Sequence, residues 1–471
     1  MSFIELLRRN RRWFLLAALA GIALRLMFIL YFRVVAGDSL VYASIAQTWM
    51  KYGIYGQGLP QGIRPTLIRL PGYPAFLVFV FSLFGQQNFV AAMLVQVAID
   101  LATCALISAL ALELIGERTA KVAFLLAALC PFTANFTAIP ITETLATFCA
   151  AAALYCAVRG LQSLEQGTLA SRCWIGAGLS VGAGMLIRPD GGILVAAVLL
   201  PLIVVFVRSR ARATVGLASC VFLLASFAPL VPWTIRNWRT FHVFQPLAPR
   251  HANDPGEFVA LGYLHWTKTW IADYVSVSEI SWNLGSQPLD AELLPERAFD
   301  SDSEREKVTE LFEQLKTHPI DPEIDEQLER LAEQRIARAP MRYYVLLPAM
   351  RAASMWLRPR VEFLGLDLRW WEIEDDPKEC AIDIAYGALA LALLLTALVG
   401  LLRWPSLGAS AWLLIGFVVL RTAFLATIEN PEPRYVIECF PVVLFYAGAA
   451  LAGFKKLFKD EHRALVDARC R

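Results

Sequence analysis

The sequence predicts an all-α protein that crosses a membrane many times. Of its 471 residues, 57% are apolar and only 18% are charged, and the mean hydropathy is +0.52. An average soluble domain has nearer ~25% charged residues, and no soluble core could bury so much apolar surface. The apolar residues also occur in blocks of about 18 or more, which is long enough for a helix to cross a ~30 Å hydrocarbon layer.

The same composition excludes a secreted disulfide scaffold, a disordered chain and a nucleic-acid-binding protein. The nine cysteines form no CxxC pair, and most of them fall inside apolar blocks, where cysteine acts as a small hydrophobic residue. A net charge of +2 gives no indication of a polyanionic partner. We therefore expect the lipid bilayer, and no nucleic acid, among the partners of this chain.

Ten segments are candidate membrane spans. They are residues 13–34, 88–112, 119–138, 141–159, 173–187, 190–207, 213–234, 381–402, 407–427 and 435–455. The first has a basic flank but is longer than a typical signal sequence and lacks a clear cleavage site, so we expect it to be retained. The two short segments at 173–187 and 190–207 are separated by Arg188-Pro189-Asp190-Gly191-Gly192, so their boundaries are the least defined.

Basic residues in the short loops orient the spans, because such residues favour the cytoplasmic side. Ten crossings place all of these loops on one side: Arg8 to Arg12, Arg118 and Lys121, Arg159 and Arg172, Arg208 to Arg212, Arg403, and Lys455 with Lys456. Both termini are then cytoplasmic, and the chain is expected in the cell (inner) membrane. Residues 74–84 are apolar but too few to cross, so we predict a re-entrant or interfacial helix on the outer face.

This topology divides the chain into three regions. They are a transmembrane module at 1–245 with its first outer loop at 35–87, an outer segment at 246–379, and the last helices with a cytoplasmic tail at 380–471. In the outer segment, Ser301 with Glu304 and Asp321 with Pro322 are typical of two helix N-termini. Residues 341–358 mix arginine with aromatic residues and leucine, which is typical of a helix lying in the membrane interface.

Ionisable residues collect at the outer ends of the predicted spans. They are Asp38, Glu143, Arg188, Asp190, Arg236, Glu429, Glu432 and Arg434. Because ionisable groups near membrane depth are costly, such a cluster indicates a functional site. Arginines suit phosphate, which they bind in a fork, and a carboxylate suits removal of a proton from an attacking hydroxyl.

Outside the cytoplasm there is no supply of nucleotide sugars, so an activated lipid must provide the energy for bond formation. A sugar linked to a polyprenyl phosphate meets this need, because the departing phosphate is a good leaving group whose charge arginines can stabilise. The residues therefore predict chemistry on a lipid-borne anion that faces the periplasm or the exterior.

Several motifs in order resemble the C-type glycosyltransferases, and among them the bacterial branch related to protein O-mannosyltransferases and lipid A aminoarabinose transferases. The matching segments are Gly37-Asp38 with Tyr42-Ala43, Arg69-Leu70-Pro71-Gly72-Tyr73-Pro74, Ile141-Thr142-Glu143-Thr144-Leu145, Ile187-Arg188-Pro189, Pro232-Trp233-Thr234-Ile235-Arg236-Asn237, and Arg434-Tyr435 with Pro441. The resemblance covers residues 1–245 and 380–455 and barely covers 250–340. It implies the membrane-embedded all-α fold of that family.

The resemblance further implies transfer of a sugar from a polyprenyl phosphate to an acceptor hydroxyl, usually with inversion. Asp38 matches the catalytic aspartate, Glu143 the second acidic position, and Arg434 with Tyr435 a region near the donor phosphate. Leu70 departs from the family's first proline. No cofactor is required in this interpretation, and a divalent metal is possible but not favoured. The sugar, and whether the acceptor is a glycolipid, a glycan or a protein, stay undetermined.

Other residues compete for roles at the site. Arg64, Arg69, Arg188 and Arg236 are alternatives for binding the donor phosphate, and Tyr42 and Tyr73 are possible substrate contacts. Structural roles stay open for several candidates: Asp38 as a helix cap, Glu143 as a residue favoured by a helix dipole, Arg188 as a partner of Asp190, and Arg236 as an interface anchor.

Two other functions stay open. A transporter or flippase should place paired charges near the middle of the membrane and show internal repeats, and neither is visible in the sequence. An O-antigen ligase or polymerase usually relies on a large outer loop rich in arginine and histidine. Here residues 290–338 hold 15 acidic and 7 basic residues instead, which disfavours that alternative.

Overall fold

The structure is a computed structural model of the full chain. It describes residues 1–453 except 36, 61, 210, 285–289, 374–375 and 405–406. Lys455, Lys456 and the rest of the predicted cytoplasmic tail lie outside the described residues, as does Arg210 of the predicted basic loop at 208–212. Almost all regular structure in the described ranges is helical, as the sequence predicts.

The N-terminal half consists of helices joined by short loops. They are α1 (Phe3–Arg9), α2 (Arg11–Tyr31), α3 (Asp38–Tyr52), α4 (Gly72–Phe84), α5 (Phe89–Leu114), α6 (Glu117–Ala128), α7 (Pro131–Asn135), α8 (Glu143–Glu165), α9 (Ser171–Ile187), α10 (Ile193–Arg208), α11 (Arg212–Phe227) and α12 (Leu230–Phe241). A short antiparallel hairpin, β1 (Gly56–Leu59) with β2 (Gly62–Pro65), follows α3 and pairs Gln57 with Arg64. The sequence did not predict this hairpin.

Seven helices of the described ranges are long and apolar enough to cross a membrane, and two bent helix pairs raise that number to nine. The remaining predicted span, at 173–187, corresponds to α9, which has 17 residues and is therefore about 25 Å long. Helix α9 packs between α8 and α11. It must return the chain through the bundle, because α8 and α10 both begin at the same end, where Glu143 and Arg188 meet. We call this the Asp38 end of the bundle.

A buried ion pair joins three of the helices inside the membrane-spanning part. Arg25 on α2 is fully buried and donates from Nε to Asp100 on α5 at 2.8 Å. Its Nη1 also donates to the carbonyl of Ala128, at the C-terminus of α6, where the chain bends by 45° into α7. Arg25 thus satisfies a carbonyl that the helix break leaves free. This pair was not visible in the sequence, because its two residues are 75 positions apart in the chain.

The first outer loop carries α3, the hairpin and α4. The predicted re-entrant or interfacial segment at 74–84 is indeed helical, as α4, and Phe79, Leu83 and Phe84 leave part of its surface apolar and exposed. Gly72 begins α4 where a β-carbon would lie only 2.6 Å from the carbonyl oxygen of Leu186. This close approach brings the loop that carries Arg69 against the end of α9.

The outer segment has its own apolar core. Its helices are α13 (Leu261–Lys268), α14 (Tyr274–Glu279), α15 (Asp302–Leu315), α16 (Pro322–Arg338) and α17 (Leu347–Leu357). Ser301 caps α15 and Asp321 caps α16, as predicted. Apolar residues of α15 and α16, among them Val308, Phe312 and Leu328, pack with Trp266 of α13.

Residues 342–346 form a turn of π-helix that leads into α17, so the predicted helix at 341–358 is present but irregular at its start. Met341, Tyr344 and Leu357 are largely exposed, whereas Arg351 is buried and donates from Nε to the carbonyl of Ile271. One face of this helix is therefore apolar and open, and the opposite face holds the outer segment together.

Three helices complete the bundle: α18 (Pro377–Arg403), α19 (Ala409–Ala426) and α20 (Pro433–Gly453), which begins with a 3-10 turn at Pro433–Cys439. Most of α20 is buried among its neighbours, while α18 exposes most of its surface. The break between α19 and α20 lies at the Asp38 end. It places residues 427–438 beside the first outer loop.

Candidate active site

Asp38 opens α3 at the N-terminal end, where the helix dipole favours a carboxylate. Gly37 before it has a φ of 54°, a conformation that glycine adopts at little cost. One carboxylate oxygen of Asp38 accepts from Nη2 of Arg69 at 2.8 Å, and the other lies 3.5 Å from Nη2 of Arg434. Asp38 thus joins the first outer loop to α20.

The charges around Asp38 control its protonation. Burial of the carboxyl group acts to raise its pKa, but the nearby guanidinium groups of Arg69, Arg434 and Arg188 outweigh burial and lower the pKa below its ordinary value. Asp38 is consequently ionised at neutral pH, as a general base must be before it accepts a proton.

The loop that carries Arg69 is fixed by contacts from three directions. The hydroxyl of Tyr55 donates to the carbonyl of Arg69 at 2.9 Å, and Asp254 accepts from the backbone N–H of Leu67 at 2.9 Å. Arg236 donates to the carbonyls of Thr66 and Tyr55 and stacks on Trp233. Arg236 therefore lies outside the charged cluster and stabilises the segment of the first outer loop that leads to Arg69.

Glu143 opens α8 and is almost fully buried, at 1% exposure. Its Oε1 accepts from Nη1 of Arg188 at 2.8 Å and lies 3.7 Å from Nε of Arg434. The structure thus brings the two predicted acidic residues into one cluster. They differ in access, because Asp38 is one-third exposed while Glu143 is enclosed by arginines.

Arg188 belongs to a deeper group of charges that extends into the bundle. Its Nε lies 3.3 Å from both Asp190 and Glu438, and these two carboxylates also bind Nη2 of Arg421 at 2.7 and 2.8 Å. Arg421 on α19 and Glu438 on α20 are residues that our sequence interpretation missed. Their signal was present, because each is an ionisable residue within an apolar span.

Arg434 and Tyr435 lie at the start of α20 and share one partner. Arg434 donates from Nε to Glu432 at 2.5 Å, and the hydroxyl of Tyr435 also donates to Glu432. The ring of Tyr435 lies 5.0 Å from the guanidinium carbon of Arg188, in a cation–π contact. Glu432 therefore fixes the two residues that the sequence placed near the donor phosphate.

The remaining predicted residues lie farther out. Arg64 pairs with Glu257 at 2.7 Å and is half-exposed. Tyr73 is fully buried and donates to Gln96 at 2.7 Å, which gives it a packing role. Tyr42 contacts the ring of Tyr73 and lies beneath the guanidinium of Arg69, at the edge of the cluster.

A cavity of about 880 Å³ opens between the Asp38 end and the outer segment. Its floor includes Asp38, Arg69, Glu432, Arg434 and Tyr435. Its opposite wall comes from the outer segment, with Arg250, His251, Phe258, Tyr274 and Trp282 among the lining residues. Glu143 does not line this cavity. The site thus combines an accessible carboxylate with two accessible arginines, in a space large enough for a sugar phosphate.

Among the residues that the structure describes, no three histidine, cysteine, aspartate or glutamate side chains converge in a way that would hold a metal ion. His251 lies 3.8 Å from Glu429 and His265 lies 2.7 Å from Glu329, in separate pairs.

Known proteins resemble this chain in two ways: a family model matches part of its sequence, and solved structures share its fold. Residues 65–233 match the sequence model of the family described as dolichyl-phosphate-mannose-protein mannosyltransferase. This range includes Arg69, Glu143 and Arg188 but neither Asp38 nor Arg434. No curated protein matches the sequence.

Solved structures share the fold at low sequence identity. The chain superposes on the archaeal oligosaccharyltransferase AglB from Archaeoglobus fulgidus, in complex with an inhibitory peptide and a dolichol-phosphate, with a TM-score of 0.56, 14% identity and coverage of 98% of this chain and 52% of that one. The Archaeoglobus fulgidus enzyme tethered to an acceptor peptide gives a TM-score of 0.55, 15% identity and coverage of 97% and 50%. The chain therefore spans about half the length of these enzymes.

A third similarity is weaker. ArnT from Cupriavidus metallidurans, bound to undecaprenyl phosphate, gives a TM-score of 0.39, 14% identity and coverage of 94% of this chain and 77% of that one. The predicted resemblance to C-type glycosyltransferases is confirmed by the archaeal fold match over nearly the whole chain and by the family match over residues 65–233.

Proposed function

We propose that this chain is a membrane glycosyltransferase that moves a sugar from a polyprenyl phosphate to an acceptor hydroxyl. The observation that carries the proposal is the cavity floor, where Asp38 lies between Arg69 and Arg434. A carboxylate beside two guanidinium groups provides both a proton acceptor and a binding site for a phosphate. Its position at the end of a membrane bundle suits a substrate whose tail stays in the lipid.

The proposed reaction assigns a role to each of these groups. The carboxylate of Asp38 takes the proton of the acceptor hydroxyl as its oxygen attacks the anomeric carbon. The bond from that carbon to the phosphate oxygen breaks, and the electron pair leaves with the polyprenyl phosphate. Attack from the face opposite the phosphate inverts the anomeric configuration. Arg69 and Arg434 stabilise the charge that develops on the leaving group.

Glu143 has a positioning role in this proposal. Its carboxylate is enclosed by Arg188 and Arg434 and does not line the cavity, so it has no direct path to an acceptor hydroxyl. It fixes the orientation of Arg434 from behind, together with Glu432. Buried carboxylates that orient arginines are a common way to hold a site in its productive geometry.

Relatives support the class of substrate. The archaeal enzyme with the same fold is described in complex with a dolichol-phosphate, and the family that matches residues 65–233 is described by a dolichyl-phosphate-linked donor. Both are polyprenyl phosphates. The sugar and the acceptor are not indicated by these likenesses, and the outer segment that forms the far wall of the cavity is the part that would select them.

A direct assay tests the reaction. The purified chain in lipid nanodiscs should transfer sugar from a polyprenyl-phosphate donor to an acceptor fraction and release polyprenyl phosphate. The acceptor can be found by mass spectrometry of the lipids, glycans and proteins of a deletion strain, which should lack one glycosylated product. A strain whose lipids, glycans and proteins are all unchanged would contradict the proposal.

We also propose that the site faces the outside of the inner membrane and that both termini of the chain lie in the cytoplasm. The basic loops support this orientation, because such loops favour the cytoplasmic side. Arg118 follows Glu113, which contacts Arg159 near the far end of α8, and Arg403 precedes α19, which runs toward the Asp38 end. A single cysteine at the exposed Ser303, in a cysteine-free background, should react with an impermeant maleimide on right-side-out spheroplasts. Labelling only after lysis would reverse the orientation.

A further inference from the structure

Every arginine of the cluster already has a carboxylate partner. Arg69 pairs with Asp38, Arg434 with Glu432, and Arg188 and Arg421 with Asp190 and Glu438. Arg250, across the cavity, pairs with Glu429 at 3.0 Å. In the described ranges, an anion that binds Arg69 or Arg434 on the cavity floor therefore competes with a carboxylate for the same guanidinium. A phosphate brings a further negative charge into a cluster whose carboxylates already outnumber its arginines.

The exposure of the carboxylates decides which of them can give way. The side chains of Glu143, Glu432 and Glu438 are 1–3% exposed, and each is enclosed by its arginine partners. The side chain of Asp38 is 32% exposed and faces the cavity. Moving Asp38 toward solvent keeps its charge hydrated, whereas moving any of the others would leave a buried carboxylate without a partner, which is far more costly.

Only one of the two parallel N–H groups on the side of the Arg69 guanidinium that faces Asp38 donates a hydrogen bond. Asp38 accepts only from Nη2 of this guanidinium, and Nε of Arg69 is buried without a hydrogen-bond partner. A guanidinium binds phosphate most strongly through two parallel N–H groups. A phosphate can therefore use both Nε and Nη2, and it gains one more charge-assisted hydrogen bond at Arg69 than Asp38 makes.

We propose that the phosphate of the lipid donor displaces Asp38 from Arg69 and Arg434, so that the base is released only when the donor is bound. This proposal rests on the proposed function. The charged and titratable groups that face Asp38 are Arg69 from the first outer loop, Arg434 from α20, Arg188 from the turn after α9, and Tyr42 from its own helix. The phosphate neutralises the first two.

Displacement links donor binding to the reactivity of Asp38. While Arg69 and Arg434 are paired with it, Asp38 is a weak base, because they favour its ionised form. Once the phosphate occupies these arginines, Asp38 faces an added negative charge instead and binds a proton more readily. The carboxylate therefore becomes a stronger base when an activated sugar is present beside it.

Binding of a long-chain polyprenyl phosphate to the purified chain in nanodiscs tests this competition. Asp38→Asn removes the charge that competes for Arg69 and keeps the shape of the side chain. The variant should bind polyprenyl phosphate roughly 3- to 30-fold more tightly than the wild type, on the scale of one partly exposed charged contact. Asp38→Ser should do the same, because loss of the charge is the cause in both variants.

Two controls isolate the effect. Glu279→Gln removes the carboxylate of another ion pair of similar exposure, with Arg369, outside the cavity, and should leave the affinity unchanged. The corresponding polyprenol, which lacks the phosphate, should bind the wild type and Asp38→Asn equally, since only the head group meets Arg69.

The outcomes separate this inference from the proposed function. If the wild type binds polyprenyl phosphate and Asp38→Asn binds it equally or more weakly, Asp38 does not compete with the phosphate and the inference is wrong. If the wild type binds polyprenyl phosphate no better than polyprenol, the proposed donor class is wrong, and the inference falls with it.

Discussion

Replacing Asp38 by asparagine tests the proposed base directly. The amide has the same shape and still accepts a hydrogen bond from Arg69, but it cannot take a proton from an acceptor hydroxyl. The ion pair that is lost is partly exposed, with Asp38 at 32% and Arg69 at 24%. Such pairs contribute about 0.2–1 kcal/mol to stability, so the variant should fold and insert normally.

The expected loss of activity is far larger than the expected loss of stability. General base catalysis contributes ~10²–10⁴-fold, so Asp38→Asn should transfer sugar at least ~100-fold more slowly. A single-turnover measurement with enzyme in excess over the lipid-linked donor isolates the transfer step from product release. The matched variant Glu279→Gln, which removes a carboxylate from a pair outside the cavity, should keep the wild-type rate.

Retention of most of the transfer rate by Asp38→Asn would refute the role of Asp38 as base. Glu143 would be a poor replacement candidate, because its carboxylate is 1% exposed and lies 2.8 Å from Arg188. Asp38 would then be a residue that opens α3 and pairs with Arg69, and the acceptor would have to lose its proton to solvent.

Three further perturbations test the rest of the site and the fold. Arg434→Lys loses the fork that contacts Glu432 and Asp38, so transfer should fall by roughly 10- to 150-fold; an unchanged rate and donor affinity in steady-state kinetics would leave Arg434 a structural partner of Glu432. The pKa of Asp38 is lowered in the free chain, so kcat/KM should decline only at acidic pH, below the ordinary range of aspartate. The value of kcat reports the donor-bound state and should decline at a higher pH. If kcat and kcat/KM declined at the same pH, release of Asp38 by the donor would be contradicted. Arg25→Met leaves Asp100 buried without its partner and should lower the free energy of unfolding by about 3–5 kcal/mol. Adding Asp100→Leu should recover a large part of this loss. A double variant as unstable as the single one would show that the carbonyl of Ala128 is the main partner of Arg25.

The membrane helices could be predicted from the sequence because their signal is local. Apolar blocks of sufficient length define spans regardless of their neighbours, and the basic loops determine the orientation of these spans in the membrane. The caps at Ser301 and Asp321 were equally predictable, because an N-cap side chain bonds to backbone within three residues. Local chemistry thus accounts for most helix boundaries and for the position of Asp38 and Glu143 at helix starts.

Partners that are distant in the sequence could not be predicted. Arg25 and Asp100 meet across two helices, and Arg421 meets Asp190 across 231 positions of the chain. The sequence showed that Arg69, Arg188, Arg236 and Arg434 were candidates for one role, but their contacts depend on how the first outer loop folds back. Arg236 turned out to support that loop from behind, a distinction that charge and spacing alone do not contain.

The division of the cluster into buried and exposed parts has a physical consequence for the reaction. Burying Arg188, Arg421, Glu143 and Glu438 costs desolvation that their mutual attraction only partly offsets, and apolar residues of similar size would often be more stable. These buried charges instead provide a fixed geometry, because Glu143 contacts Arg434 and Arg188 contacts the ring of Tyr435. Asp38 and Arg69 come instead from the first outer loop and are the more exposed members. In the proposed reaction, the bundle therefore fixes where the phosphate is bound, while the loop supplies a carboxylate that can move toward the acceptor.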